Sequence, residues 1–444
     1  MKNGREADPR AMALASLAAL ERDGRYANME IDARLKRDGA ALVPADRGLF
    51  TRLVYGVTER RLTLDYIIDR LASRPAAELD RDIRDALRLG LYQLVYMDRI
   101  PDHAAVSASV EQIKETKRAG AGLVNAVLRA FLRAGKQVPL PDEGGDRYRH
   151  LEVKHSIPEA LIRIYEAELA AQPGDRSGEL DALLSALNRE PMVALRVNTL
   201  RLTAEEAAER VGGEISRTAP DIVKLASLTE EARAGIAEGL WFVQDEASRI
   251  AAKAVGAMPG DLTADVCACP GGKTFSMALD MENRGEVRAF DLHANKLSLV
   301  KSGAERLGLC IVRAEARDGR DPDPELVGRA DRVLCDAPCS GFGVIAKKPD
   351  LRYKDPSSAD RLPGIQREIL WGAASYVKPG GILVYSTCTL NPAENEDCAR
   401  AFLAEHADFA LCPDEFLPEG MRTFFPHTDG TDGFFAARMK RRSE

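Results

Sequence analysis

Two cysteines stand where a thiol could act as a nucleophile: Cys339 in Asp336-Ala-Pro-Cys-Ser-Gly341 and Cys388 in Tyr385-Ser-Thr-Cys-Thr-Leu390. Each follows a short apolar run, and open α/β sheets bind ligands just beyond the carboxyl ends of their strands. A lone Cys is usually a small buried hydrophobe. The polar setting of Cys388 and the Pro and Ser flanking Cys339 weigh against that reading here. A thiolate adding to C6 of a pyrimidine turns the unreactive C5 into an enamine-like carbon that can attack a sulfonium methyl. A second thiol or a carboxylate nearby can then take the C5 proton. A thiol of ordinary pKa, about 8.5, is mostly protonated at neutral pH, so local positive charge such as Lys273 would have to assist.

A third strand end reads Asp265-Val-Cys-Ala-Cys-Pro-Gly-Gly-Lys-Thr274, a run that stops at a glycine turn and opens a helix. Paired glycines let a ligand approach the backbone, and the helix start offers free N–H groups. The Gly-Gly-Lys-Thr ending is not a phosphate loop, because position 267, where that motif needs Gly, is Cys. The next run ends at Asp291, twenty residues past Gly271, where a carboxylate can accept both ribose hydroxyls of an adenosine-type cofactor. Asp336 is expected either to meet N3 and the amino group of cytosine or to serve the methyl donor. Gly341-Phe-Gly343 lacks the strand-then-helix context of a dinucleotide fingerprint and reads as a shaped active-site loop. A nicotinamide oxidoreductase would need Gly-x-Gly-x-x-Gly at the first turn, which is absent. Structural zinc sites favour Cys-x-x-Cys or Cys/His pairs; Cys267-x-Cys269 and Cys335-x3-Cys339 are imperfect and there are six His, so no metal is expected. No Gly-x-Ser-x-Gly elbow supports a hydrolase. Cys310, Cys335, Cys398 and Cys412 are taken as structural.

These loops need a scaffold. At 444 residues the chain is long enough for two or three domains. Its 45% hydrophobic and 30% charged residues exclude fibrous and fully disordered classes. No apolar stretch is long enough to span a membrane, and the charged start is not a signal peptide. A cytoplasmic protein with reduced thiols is expected. The net charge is −7, but residues 1–135 carry 23 Lys+Arg against 19 Asp+Glu, so a mildly basic part precedes an acidic one. That permits a polyanion-binding face without requiring it. Residues 10–133 show helical periodicity (Ile83, Leu87, Leu91, Leu94; Val106, Val110, Ile113), with Pro44, Pro75 and Pro101 between the runs. Residues 136–149 form a Pro- and Gly-rich linker. A small α+β module follows, with a strand at Val193–Asn198 and a capping box from Thr203 to Glu206. Four strand runs, Leu262–Val266, Val287–Asp291, Arg332–Asp336 and Gly381–Ser386, then alternate with helical stretches, as in a parallel sheet covered by helices. For RNA contact, Lys347, Lys348, Arg352 and Lys354 and the basic face of the first domain are the expected groups.

Taken together, the motifs resemble the Nop/Sun family of RNA cytosine-C5 methyltransferases, in particular its bacterial small-subunit (16S) ribosomal RNA branch of the Sun (Fmu) type. The resemblance covers nearly the whole chain. It is carried by Gln244-Asp-Glu-Ala-Ser248, the Cys267–Thr274 loop, Asp291, Asp318, Asp336-Ala-Pro-Cys-Ser-Gly341, Pro349-Asp350, Tyr385–Pro392, Glu394-Asn-Glu396 and Asp432-Gly-Phe-Phe435. The first domain resembles NusB-type RNA-binding domains through Asp46-Arg47, Val54-Tyr-Gly56, Leu87–Gln93 and Val124–Arg129. The resemblance implies a multidomain chain: an all-α NusB-like RNA-binding domain (1–138), a small α+β RNA-binding module (150–238) and a Rossmann-like α/β methyltransferase domain (239–444). It implies Cys388 as nucleophile and Cys339 as the residue assisting product release. It also implies an S-adenosylmethionine site made of Cys267, Ala268, Cys269, Pro270, Gly271, Gly272, Lys273, Asp291, Asp318 and Asp336. The expected partner is 16S ribosomal RNA before full subunit assembly, with no membrane, no metal, and a monomer as the favoured state. Cys269 stands where the family has a small residue, and Lys296 where Arg is common. A non-catalytic RNA-binding assembly factor is the competing reading; retention of both Cys388 and Cys339 favours the enzyme.

Overall fold

The computed structural model describes residues 8–443, which form two compact units. The first comprises residues up to Arg163 together with Ile345–Lys354. It is helical because its apolar residues recur at helical spacing and its prolines fall at helix starts. Pro9 opens Pro9–Asp23 beside Asp8, whose carboxylate accepts the Arg10 N–H at 2.9 Å. Pro44 opens Pro44–Glu59, and Pro101 caps Asp102–Lys117. The row Leu87, Leu91 and Leu94 of Arg81–Tyr96 is buried, with Val106 and Ile113 packed into the same core. Gly56 is obligatory: a Cβ there would lie 2.0 Å from the Tyr92 ring. Two of the stretches that resemble NusB domains, Val54-Tyr-Gly56 and Leu87–Gln93, thus meet in packing.

The Pro- and Gly-rich stretch does not end this unit. Tyr66 Oη donates to Pro139 O at 2.8 Å, and Asp146 caps the helix Arg147–His155. Thr63 Oγ1 then holds Val153 O at 2.6 Å. Ile345–Lys354 is drawn into the same unit by specific polar contacts. Asp350 accepts the Ala27 N–H at 2.9 Å, and Tyr353 Oη donates to Glu59 O at 3.1 Å. Arg352, expected at an RNA surface, is instead buried, donating to His155 O and paired with Glu59 at 3.7 Å. Its guanidinium satisfies a carboxylate and a carbonyl inside the protein, so it is a structural residue and is withdrawn from the RNA-facing set.

The second unit contains two sheets. The smaller is antiparallel, with strands β1 (Val193–Val197), β2 (Glu214–Ile215), β3 (Ile222–Leu225) and β4 (Trp241–Val243) in the order β2-β3-β1-β4. The capping box forms as read: Thr203 Oγ1 accepts the Glu206 N–H and Glu206 accepts the Thr203 N–H. Trp241 fills the core, with its indole N–H on Ala232 O at 2.8 Å.

The larger sheet holds β5 (Leu262–Asp265), β6 (Glu286–Asp291), β7 (Val312–Ala316), β8 (Ala330–Asp336), β9 (Val377–Thr387), β10 (Phe409–Leu411), β11 (Met421–Phe424) and β12 (Phe434–Arg441). Its order is β10-β12-β9-β8-β5-β6-β7, with β11 also on β12. The four anticipated strands are β5, β6, β8 and β9, all parallel. The sheet is nevertheless mixed: β12 runs antiparallel to β9, pairing Phe435 with Thr387. Chain order reverses around β5, whose neighbours are β6 and β8. In such sheets the crevice for a ligand opens at that switch point. No helix among the described residues is long and apolar enough to cross a membrane.

Candidate active site

The carboxyl ends of β7, β6, β5, β8 and β9 bring Asp318, Asp291, the Cys267–Lys273 loop, Asp336 and Cys388 to one edge of the sheet. After β5 the chain turns through Gly271 at φ +117, where a Cβ would stand 2.3 Å from the Phe275 ring, so only Gly fits. Gly272 then starts the helix Gly272–Asp280. The loop is tied to β6: Ala268 N–H donates to Phe290 O at 2.8 Å and Cys269 N–H to Asp291 Oδ2 at 3.2 Å. Asp291 Oδ1 takes the His293 N–H at 2.9 Å. Pro270, at the exposed tip, follows a cis peptide. Asp318 lies two residues past β7; Arg320 bonds both its oxygens, at 3.0 and 2.7 Å, and holds its carboxyl below the usual range.

Two further candidate site residues escaped the sequence reading although both lie in its motifs. Asp265 is fully buried and takes the Thr274 hydroxyl on Oδ2 at 2.6 Å, while Oδ1 has no partner. Burial pushes its pKa up to about 7. Gln244 accepts the Ser276 hydroxyl at 2.6 Å, leaving its buried Nε2 unpartnered and facing Gly272, where an added Cβ would lie 3.7 Å away. Unsatisfied buried polar atoms are costly. An orphan acceptor and an orphan donor flanking a bare glycine turn and a helix start fit a polar, amino-acid-like moiety. Asp291 beside it fits the ribose. The residues present therefore suit an S-adenosyl compound.

The thiols converge. Cys339 Sγ lies 3.3 Å from Cys388 Sγ; neither is in a disulfide and both are half-buried. The hydrogen bond to Cys388, together with burial, pushes the Cys339 thiol well up. A proton held on Cys339 can be donated to a thiolate on Cys388. Asp336 bonds Lys273 Nζ at 2.7 Å and the Ser386 hydroxyl at 2.8 Å. Burial pulls the Lys273 ammonium down, but Asp336 and Cys388 beside it carry the balance upward, so it stays charged. The two thiol loops are clamped together by Glu394, a buried carboxylate that accepts Ser340 N–H at 2.9 Å, Ser340 Oγ at 2.6 Å, Gln366 at 2.9 Å and Asn391 at 3.0 Å. The Gly341–Gly343 turn is shaped to meet them. Gly343 N–H donates to Cys388 O at 3.1 Å, and a Cβ on Gly343 would strike Gly433 O at 1.9 Å.

Of the other thiols, burial and surrounding carboxylates push Cys267 well up, and burial with Asp291 pushes Cys269 up to about 12. Cys335 and Cys398 are buried. Cys310 is exposed in the turn before β7, its N–H on Asn283 Oδ1 at 2.9 Å. No group of three or more His, Cys, Asp or Glu among the described residues could hold a metal ion.

Residues 253–440 match the model of the family described as 16S rRNA methyltransferase RsmB/F, and residues 7–133 that of the NusB family. The chain is 38% identical to the probable ribosomal RNA small subunit methyltransferase B of Bacillus subtilis over 98% of both chains. It is 32% identical to the ribosomal RNA small subunit methyltransferase B of Serratia proteamaculans over 89% of this chain and 90% of that one. Among solved structures, PH0851 superposes with a TM-score of 0.78 at 27% identity, covering 98% of this chain and all of that one. A methyltransferase homolog from Pyrococcus horikoshii gives 0.57 at 25% identity over 67% of this chain and 99% of its own. With relatives this similar along nearly its full length, the chain belongs to the 16S rRNA methyltransferase RsmB/F family and carries a NusB family domain at its N-terminal side.

Proposed function

We propose that this protein methylates C5 of a cytosine in 16S ribosomal RNA through a covalent bond between Cys388 Sγ and C6 of the base. The methyl donor of the family is S-adenosylmethionine, which when bound supplies an electrophilic methyl on sulfonium. The observation that carries the reading is the pair of thiols 3.3 Å apart beside a charged Lys273. One thiol can work as an anion while the other keeps a proton.

Cys388 Sγ adds to C6, and the electron pair moves to C5, which accepts the methyl. Lys273 stabilises the attacking thiolate, and Asp336, oriented by Lys273 and Ser386, is suited to meet N3 and the amino group of the cytosine. A nearby carboxylate takes the C5 proton, the C5–H electron pair re-forms the C5=C6 double bond, and the C6–sulfur bond breaks with its electrons returning to Cys388. Cys339 assists this release by donating its thiol proton to the departing sulfur. Gln244, Asp265, the Cys267–Gly272 turn and Asp291 serve the donor; Asp318, joined to Arg320, sits at the rim of that set. The names of the full-length relatives support small-subunit ribosomal RNA as substrate, and the cysteine-pair geometry supports C5 of cytosine. Functionally we divide the chain into an RNA-binding helical part (1–138), a small RNA-binding module (150–238) and the methyltransferase domain (239–444), acting before subunit assembly is complete.

The test is transfer of labelled methyl from S-adenosylmethionine to deproteinised small-subunit ribosomal RNA, with the product mapped by bisulfite resistance. One new 5-methylcytidine is expected. Transfer only to another RNA would move the substrate, and transfer to none would leave an assembly factor.

A further inference from the structure

Glu168, on the helix Glu159–Ala170, is fully buried, yet no part of the reaction above uses it. Its carboxyl faces Glu396, the first residue of the helix Glu396–Glu405, also buried. The hydrogen-bond partners of the two are neutral. Thr423 Oγ1 lies 3.0 Å from Glu168 Oε1 and 2.7 Å from Glu396 Oε1. Gln172 Nε2 reaches the same two oxygens at 3.1 and 2.9 Å, and Asn395 Nδ2 reaches Glu168 Oε2 at 3.3 Å. Thr423 has one hydroxyl proton to offer two carboxyl oxygens, and Glu396 Oε2 has no partner. Two ionised carboxylates would leave like charges facing each other across one hydroxyl, with an oxygen bare. One proton between them removes the repulsion, as in other buried carboxyl pairs.

The pair is coupled to the nucleophile. Asn395, held by Glu168, donates to Thr389 O at 3.1 Å and accepts from the Thr387 hydroxyl at 2.6 Å, gripping the residues on both sides of Cys388. Thr389 Oγ1 in turn meets Ser340 Oγ at 2.6 Å, next to Cys339. We infer that Glu168 and Glu396 share a proton, and that this singly charged pair acts as a positioning device, fixing Asn395 and through it the Cys388 sulfur. Burial and the facing Glu396 raise the Glu168 carboxyl well above its ordinary range, in agreement with that placement. Loss of the shared proton sets two anions against each other and loosens the Asn395 grip, so attack by Cys388 fails at alkaline pH. The inference rests on the role of Cys388 given above.

Full-length protein tests it in two assays, methyl transfer to small-subunit ribosomal RNA and alkylation of Cys388 by iodoacetamide, each across pH 6.5–10. Among the described residues, the side chains hydrogen-bonded to the pair, Thr423, Gln172 and Asn395, do not ionise. Cys388 lies beside Cys339 and Lys273, the latter bonded to Asp336, a setting common to all variants that the comparison cancels. Glu168→Ala is expected to lower kcat about tenfold with KM for S-adenosylmethionine unchanged, and Glu168→Gln, which mimics the protonated form, to restore it. At pH 9.5 the Glu168→Gln variant should surpass the wild type about tenfold in both assays, with the two within about twofold at pH 7. Superimposable pH profiles of wild type and Glu168→Gln would overturn the inference, even if Glu168→Ala does not fold. Absence of methyl transfer by every variant, with the alkylation difference intact, would overturn the proposed reaction and leave the positioning pair standing.

Discussion

Two pairs of cysteines sit on one edge of the same sheet in different company. Cys267, beyond β5, is raised by burial and by Asp265, Asp336, Asp291 and Asp318, and Cys269, two residues on, by burial with Asp291 and Asp265. Cys339 and Cys388, beyond β8 and β9, lie against each other with Lys273 alongside. A thiolate forms where a cation and a proton-sharing neighbour meet it, and is suppressed where anions surround it. The residue type alone therefore says little about reactivity. Backbone position at a strand end brings a thiol to the ligand, and the side chains arriving from neighbouring strands decide its charge.

The contrast can be broken or sharpened by substitution. Cys388→Ala should abolish methyl transfer, by a factor of about 10⁴ or more, since covalent catalysis has no substitute nucleophile in the suppressed pair. Measurable transfer near the wild-type rate would end the comparison. Cys339→Ala should slow turnover by about a hundredfold, as expected on removing a positioned acid–base group. It should also leave protein covalently attached to RNA, visible as a shifted band on a denaturing gel. Asp265→Asn acts on stability. The folded-state pKa of about 7 lies above the ordinary 3.8 of an aspartic acid, so the folded protein keeps a proton that the unfolded chain releases. The stability this group contributes is full below about pH 4 and is lost as pH rises through 7. The Asn variant should therefore be more stable than wild type at pH 8, by a few kcal/mol on the order of the shift, with the gap closing towards pH 4. Denaturant titrations at the two pH values check this. Smallest of all, Cys269→Ser should change kcat by less than about threefold, because its thiol is neutral throughout the working range.

The candidate site was legible in the sequence because each of its loops follows a compact apolar run and breaks it with Gly, Asp or Cys. The strand β7, Val312-Arg-Ala-Glu-Ala316, was not, since it is a half-exposed edge strand with no apolar run. The antiparallel end of the sheet was missed for a different reason: Phe434–Arg441 carries no signal of its direction, which is set by pairing with β9. Arg352 was misread because a basic stretch looks the same whether its side chains face solvent or a half-buried Glu59. Glu168 was invisible because its partner Glu396 lies 228 residues further along the chain, and no local pattern announces a shared proton. Gln244 stood in a recognised motif, but its orphan amide becomes meaningful only beside Gly272.

The most direct measurement uses small-subunit ribosomal RNA containing 5-fluorocytidine, incubated with S-adenosylmethionine and the full-length protein. Fluorine at C5 cannot leave as a proton, so the methylated adduct is trapped and the attached peptide can be identified by mass spectrometry. The account predicts one cross-linked residue, Cys388, with Cys267 and Cys269 recovered as free thiols. Attachment at Cys267, Cys269 or Cys339 instead would contradict it.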